Sequence, residues 1–220
     1  HGRVAARHRA QADVSLPRKK NAWARLVRAK IEGQASVLEN LKIRGSGELL
    51  ALADQVRSGD PGNVEAQAAR LYWSRTLGRG VGRQPAAGQL IGANACLDYG
   101  YAVLRGHLMR AVLAAGLAPA LGVFHRGRGN AFALADDLIE PFRPAIDEVA
   151  LPLPATASPS DREVKQLLVA AASQRFDVDG HGIPAVAEAL AQSFGRYIEG
   201  DIDRLQVASW QGPSRVGMGD

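Results

Sequence analysis

The residues best equipped for chemistry fall within positions 116–147, GLAPALGVFHRGRGNAFALADDLIEPFRPAID. A short apolar segment, 121–124, delivers His125. A basic, glycine-rich turn follows, with Arg126 and Arg128, then Asn130 as the expected cap of a new helix. That helix carries Asp136, Asp137 and Glu140 before Pro141 and Pro144 bend or break it. Asp137 and Glu140 stand three apart and share one helix face. Asp136 is rotated roughly 100° away and points elsewhere, toward solvent or an arginine such as Arg143. An imidazole with two convergent carboxylates and no thiolate suits Mn²⁺ or Mg²⁺, and can also hold Zn²⁺. Arg126 and Arg128 stand where they can bind phosphate. Singly, each residue has an ordinary structural explanation, since a histidine before a turn is commonly solvated and a first-turn acid complements the helix dipole. The combination is the signal.

The string HRGRGNAFALADDLIEPFRPAID closely resembles the active-site segment of the CRISPR-associated integrase family, the Cas one proteins. The family pattern is a His, a short basic turn, Asp-Leu-x-Glu and then Phe-Arg-Pro. The variant here, Ala-Asp-Asp-Leu with Pro-Phe-Arg-Pro, looks like the type II systems. Two more stretches are similar to the family: NAWARLVRAKIEGQASVLENL at 21–41, and Glu65 ahead of AARLYW. By its position alone Glu65 is a surface acid in a first helical turn. The resemblance implies instead that it is the first metal ligand, with His125 and Glu140 completing the set. Asp137 is then a fourth ligand or a group behind the ligands. Asn94 with the string Asp98-Tyr99-Gly100-Tyr101 resembles a family string that has Asn where Asp98 stands; this departure touches none of the expected ligands.

The elements that must position these groups are helical. Residues 21–43 show one apolar stripe through Trp23, Leu26, Val27, Ile31, Leu38 and Leu41. Short helices are expected at 48–58 and 64–77, separated by the break Gly-Asp-Pro-Gly-Asn at 59–63. The longest pattern, 89–115, is expected to be the central buried helix. His107 on it is a core or surface histidine. Ser160 and Glu163 form a capping-box pattern that opens a helix to about 173. A last helix begins at Pro184. The stretch 176–180 looks like a calcium loop but lacks the remaining ligands, so a short extended piece and turn is expected there.

Aromatics make up only 5% of the 220 residues, and strand patterns are sparse, so the fold class is all-α. The single cysteine, Cys96, excludes an internal disulfide and fits a reducing cytoplasm. The net charge is +5, unevenly spread. Residues 1–30 hold nine Lys or Arg against one acid, Asp13, and 66–97 hold Arg70, Arg75, Arg79 and Arg83 with no acid. Acids gather around 136–163. A basic surface with an acidic pocket suits a metal-dependent enzyme acting on nucleic acid, and these four arginines are the expected DNA contacts.

Residues 1–20, without clean periodicity, are expected to be a basic connector from the β-rich N-terminal domain that the family carries. Residues 21–211 are then the helical catalytic domain and 212–220 a disordered tail. The resemblance implies spacer integration: a DNA 3′-hydroxyl attacks a phosphodiester of the repeat, with Mg²⁺ or Mn²⁺ as cofactor, DNA as substrate and a Cas two dimer as partner. A homodimer is expected in the full-length family and a weaker one here. Two other classes stay open, a non-catalytic DNA-binding scaffold derived from the integrase and a metal-dependent phosphohydrolase.

Overall fold

The computed structural model of the chain describes residues 2–78, 82–85, 88–125 and 129–213. Among them the structure is all helical, with one isolated antiparallel bridge, Arg175 to Gly182, closing the 176–180 turn. The helices are α1 (Gly2–Asp13), α2 (Leu16–Asn40), α3 (Ser46–Gln55), α4 (Val64–Thr76), α5 (Gly92–Ala114), α6 (Ala133–Leu138), α7 (Arg143–Ala150), α8 (Arg162–Ala171) and α9 (Ile183–Glu199). A 3₁₀ turn, Glu140–Phe142, joins α6 to α7. No helix of the described residues is long and apolar enough to cross a membrane.

Two long helices organise the rest. α2 buries the expected stripe of Trp23, Leu26, Val27, Ile31 and Leu38, and packs against α3, α4, the 3₁₀ turn and α7. α5 buries Cys96, Leu97, Tyr101, Leu104, Leu108 and Val112 and packs against α6 to α9. α6 and α7 pack against both. The aromatic rings of Phe142, Phe176 and Trp210 follow one another in tilted contacts, with centroids 4.8 and 5.7 Å apart.

Several boundaries depart from expectation for local reasons. α2 begins five residues before Asn21, because Ser15 caps it by accepting from the Arg18 backbone N–H, and Pro17 sits in the first turn where its missing N–H is harmless. Residues 2–13, expected as part of a connector, are instead a helix against α9. Its buried positions are Arg7 and Gln11, one turn apart. Arg7 makes a forked ion pair with Glu199 at 2.9 and 2.8 Å and donates to the Ala115 carbonyl, while Gln11 bonds the backbone of Ala118 and Leu121. A helix that buries polar groups shows no apolar periodicity. The Ser160–Glu163 capping box does not form, since Asp161 takes the cap position of α8 without a side-chain bond. Of the expected tail, residues 214–220 lie outside the described residues.

Candidate active site

Glu65 sits in the first turn of α4, where Asp60 fixes the helix start. Its two oxygens accept from the Val64 and Glu65 backbone N–H groups, both at 2.9 Å. Asp60 and Asn63 both adopt left-handed backbone, so the break at 59–63 is a tight reversal that aims the α4 N-terminus at α2. There Glu65 meets Lys30. The Lys30 ammonium lies 2.7 Å from Glu65 Oε1 and 2.6 Å from Glu140 Oε2. Arg143, three residues on, donates from Nε to Glu140 Oε1 at 2.9 Å. One ammonium thus bridges two carboxylates brought together from α4 and the 3₁₀ turn.

This arrangement is buried and strongly polarised. Burial alone would push the Glu140 carboxyl up, but Arg143 and Lys30 outweigh it and hold it down at about 2. Burial likewise works against the charged form of Lys30, and Glu140 and Glu65 overcome it, leaving the ammonium above its ordinary value. Although Lys30 is close, Glu140 Oε2 receives no aligned hydrogen bond. A pair of carboxylates that already holds one ammonium between them fits a cation.

His125 is placed by Asp137, which is fully buried. The Asp137 carboxylate accepts from the backbone N–H groups of Val123, Phe124 and His125 at 2.5, 3.0 and 3.2 Å, and meets His125 Nδ1 at 2.6 Å. The 122–125 loop wraps so closely that a Cβ on Gly122 would come 2.8 Å from Asp137 Oδ2. A carboxylate only accepts, so Nδ1 carries the proton and neutral His125 keeps its lone pair on Nε2. The bond to Asp137 raises the imidazole above its ordinary value, against partial burial. A histidine held at Nδ1 by a carboxylate is the arrangement that orients imidazole toward a metal.

The expected residues therefore divide. Glu65 and Glu140 share one cation position, and His125 is near enough for the Glu140 charge to act on it. The three are not packed within 4.8 Å of one another, as Asp177, Asp179 and His181 are in the exposed turn before α9. That turn is held by its own bonds, from the His181 N–H and Nδ1 to Asp177. The two carboxylates have different partners, Asp137 the 123–125 loop and Glu140 the cations Lys30 and Arg143, and both charges act on His125. α6 ends at Leu138, and the backbone continues through Ile139 into the 3₁₀ turn that carries Glu140. Asp136 does point elsewhere, but to Arg105, at 2.5 and 3.2 Å, and to Asn130. Asn130 therefore braces Asp136, and α6 has no side-chain cap.

Among the arginines, Arg70 and Arg75 are exposed on α4, Arg75 pairing with Glu48 at 3.2 Å. Arg83 is turned inward and pairs with Asp98 at 2.5 Å and Asn94 at 2.9 Å. The departure at position 98 thus supplies the anion for Arg83. Arg79, Arg126 and Arg128 lie outside the described residues.

A cavity of about 350 Å³ opens beside Glu140, lined by Lys30, Arg83, Arg143, Trp73 and Tyr101. Sequence reasoning passed over Lys30 and Arg143 as site residues. The Glu140–Arg143 spacing of three was a usable signal for one of them. Nothing in the spacing from Lys30 to Glu65 or Glu140 could reveal the other.

The model of the family described as CRISPR associated protein Cas1 matches residues 1–163. The chain belongs to the Cas1 family. Among curated Cas1 proteins it is similar to the CRISPR-associated endonuclease Cas1 of Neisseria meningitidis, with 45% identity over 62% of this chain and 44% of that one. It is also similar to an endonuclease Cas1 of Thermus thermophilus, with 35% identity over 60% of this chain and 41% of that one. The chain spans less than half the length of either relative. Its fold resembles a casposase solved bound to its integration product, with TM-score 0.75 at 18% identity over 94% of this chain and 68% of the casposase. It also resembles a Cas1 protein from Thermotoga maritima, with TM-score 0.63 at 18% identity over 90% and 69%. In this Cas1-family chain the all-α class inferred from composition is the observed fold.

Proposed function

We propose that this chain is the catalytic region of a metal-dependent DNA integrase of CRISPR spacer acquisition. The observation that carries the reading is the shared cation position between Glu65 and Glu140, beside a histidine whose Nδ1 is held by Asp137. Glu65, Glu140 and His125 Nε2 would hold Mg²⁺ or Mn²⁺. That ion supplies positive charge to a phosphate and lowers the pKa of an attacking hydroxyl. Asp137 keeps the imidazole in the one tautomer that leaves Nε2 open. Arg143 and Lys30 balance the carboxylates when no ion is bound, and the adjoining cavity carries the cations Lys30, Arg83 and Arg143 against the acids Asp98, Glu140 and Asp147.

The reaction is a transesterification. A DNA 3′-oxygen forms a bond to phosphorus, the target's P–O3′ bond breaks, and the attacking hydroxyl's proton ends on the new 3′-hydroxyl. No covalent bond to the protein is needed. Family membership supports the CRISPR role. Fold neighbours solved as a casposase with its integration product and as a partial Cas6-RT-Cas1–Cas2 complex support DNA and a Cas2 partner.

The test is a strand-transfer assay with a 3′-hydroxyl DNA donor, a repeat-containing target, Cas2, and Mg²⁺ or Mn²⁺. Wild type joins the strands and chelator stops it. Glu65→Ala, His125→Ala and Glu140→Ala bind DNA but join nothing. Full joining by Glu140→Ala would overturn the reading. Metal-dependent turnover of a small phosphoester without joining would favour a phosphohydrolase, and salt-sensitive DNA binding alone a scaffold.

A further inference from the structure

Phe124 precedes His125 in a loop whose backbone Asp137 pins down. Its ring lies flat on Trp23 of α2, with centroids 4.3 Å apart and 4° between planes. Trp23 is 2% exposed and belongs to the core, whereas Phe124 is 52% exposed. One face of the Phe124 ring is therefore spent on Trp23 and the other is open to solvent. An exposed phenylalanine fixed by three backbone bonds has an orientation that it cannot relax by burying itself. His125 meets both rings edge-on, at 5.6 and 6.0 Å, so the stack and the proposed metal-binding imidazole form one rigid unit.

The surroundings point to a ligand that is flat and negatively charged along one edge. A cavity of about 310 Å³ lies against the stack, lined by Leu16, Lys19, Lys20, Trp23, Val123 and Phe124. Lys19 and Lys20 make no ion pair among the described residues, and the cavity has no acid in its lining. An apolar protein partner would match the rings but leave two lysines without counterions. A nucleotide strand satisfies both, its base against the ring and its phosphates against the ammonium groups.

We propose that Phe124 is a stacking platform for an unpaired DNA base, with Lys19 and Lys20 holding the phosphates that flank it. The site orients a strand passing His125, and the proposal rests on the DNA-directed reading above. Because every base has a π-face, the contact is insensitive to sequence. Trp23 backs the platform and stands two turns before Lys30 on the same helix, so one rigid element spaces the stacked base from the Glu65–Glu140 pair.

The experiment uses the purified protein and single-stranded DNA carrying 2-aminopurine at successive positions from the 3′ end, at fixed ionic strength. Fluorescence reports stacking, titration gives affinity, and strand transfer is followed in parallel. In wild type the probe is quenched at one or two adjacent positions. Phe124→Leu keeps Trp23 covered but offers no π-face. It should abolish that quenching and weaken binding about tenfold, while Phe124→Tyr retains both. Lys19→Ala with Lys20→Ala should flatten the dependence of log affinity on log salt by about 1.4, roughly 0.7 for each phosphate of a single strand. Quenching and affinity unchanged in Phe124→Leu would overturn the platform even if strand transfer is intact. Phe124-dependent quenching without strand transfer would support the platform while the integrase reading fails.

Discussion

The Lys30 ammonium occupies the position that the two glutamates offer a cation. If the pair holds a divalent ion as proposed, that ion competes with Lys30, and removing the lysine should have opposite effects with and without metal. Lys30→Met leaves Glu65 and Glu140 facing each other with less compensating charge. It should destabilise the metal-free protein by about 3 kcal/mol, the size expected when one partner of a buried pair is lost. Mn²⁺ should then restore stability, giving a larger Mn²⁺-induced rise in Tm than in wild type. An equal or smaller rise would show that Lys30 does not occupy the metal's place. The adjacent aspartates separate in the same way. Asp137→Asn disturbs the bond that orients His125 and should weaken Mn²⁺ binding 10- to 100-fold. Asp136→Asn loosens a half-exposed pair with Arg105, and its effect on Mn²⁺ affinity should be under about twofold. Isothermal titration of both variants decides this, and the reverse order would assign the metal-facing role to the wrong aspartate.

Among the helices, the α5–α7 contact sets where Arg143 and Asp147 stand. α5 comes close because Gly100 has no side chain; a Cβ there would collide with Ile146 Cγ2 of α7. Gly106, two turns on in α5, faces open space. Alanine favours a helix interior over glycine by about 1 kcal/mol at either position. At Gly100 that gain is opposed by overpacking of about 1–3 kcal/mol and a displaced α7. Gly106→Ala should therefore raise the urea midpoint and Gly100→Ala lower it, the latter also reducing strand transfer. Stabilisation by both would mean that α7 yields without strain.

Across the whole molecule, one carboxylate ties three helices. Asp147 on α7 accepts from Tyr72 of α4 at 3.0 Å and from Tyr101 of α5. Burial pushes it up to about 6 despite both hydroxyls. Between its ordinary value of 3.8 and about 6 the folded state binds the proton that the unfolded state has released. Stability contributed by Asp147 is thus greatest at low pH and falls as pH rises through that window, by at most about 3 kcal/mol. Glu140 acts in the opposite sense at lower pH: held at about 2, it adds stability as pH climbs from 2 toward 4.5. Asp147→Asn should flatten the decline between pH 4 and 6, as measured by urea unfolding at each pH. A variant that keeps the wild-type slope would assign that proton to another group.

Much of this protein was determined by the sequence alone. The apolar stripes of α2 and α5 made the all-α fold legible, because burying a helix face requires a period near 3.6 whatever the partner. Local chemistry also made the break at 59–63 and the divergence of Asp136 legible. Resemblance to a family supplied Glu65, which spacing could not. Tertiary structure decided the rest. Polar α1 showed no apolar period, because Arg7 and Gln11 bury themselves through distant hydrogen bonds. Helical spacing set Asp137 and Glu140 three apart, but only the packed fold gave them their separate partners, the His125 loop for Asp137 and Lys30 with Arg143 for Glu140. Lys30 itself became visible only when α2, α4 and the 3₁₀ turn met, since an ion pair between residues 30, 65 and 140 depends on distance in space and leaves no pattern along the chain.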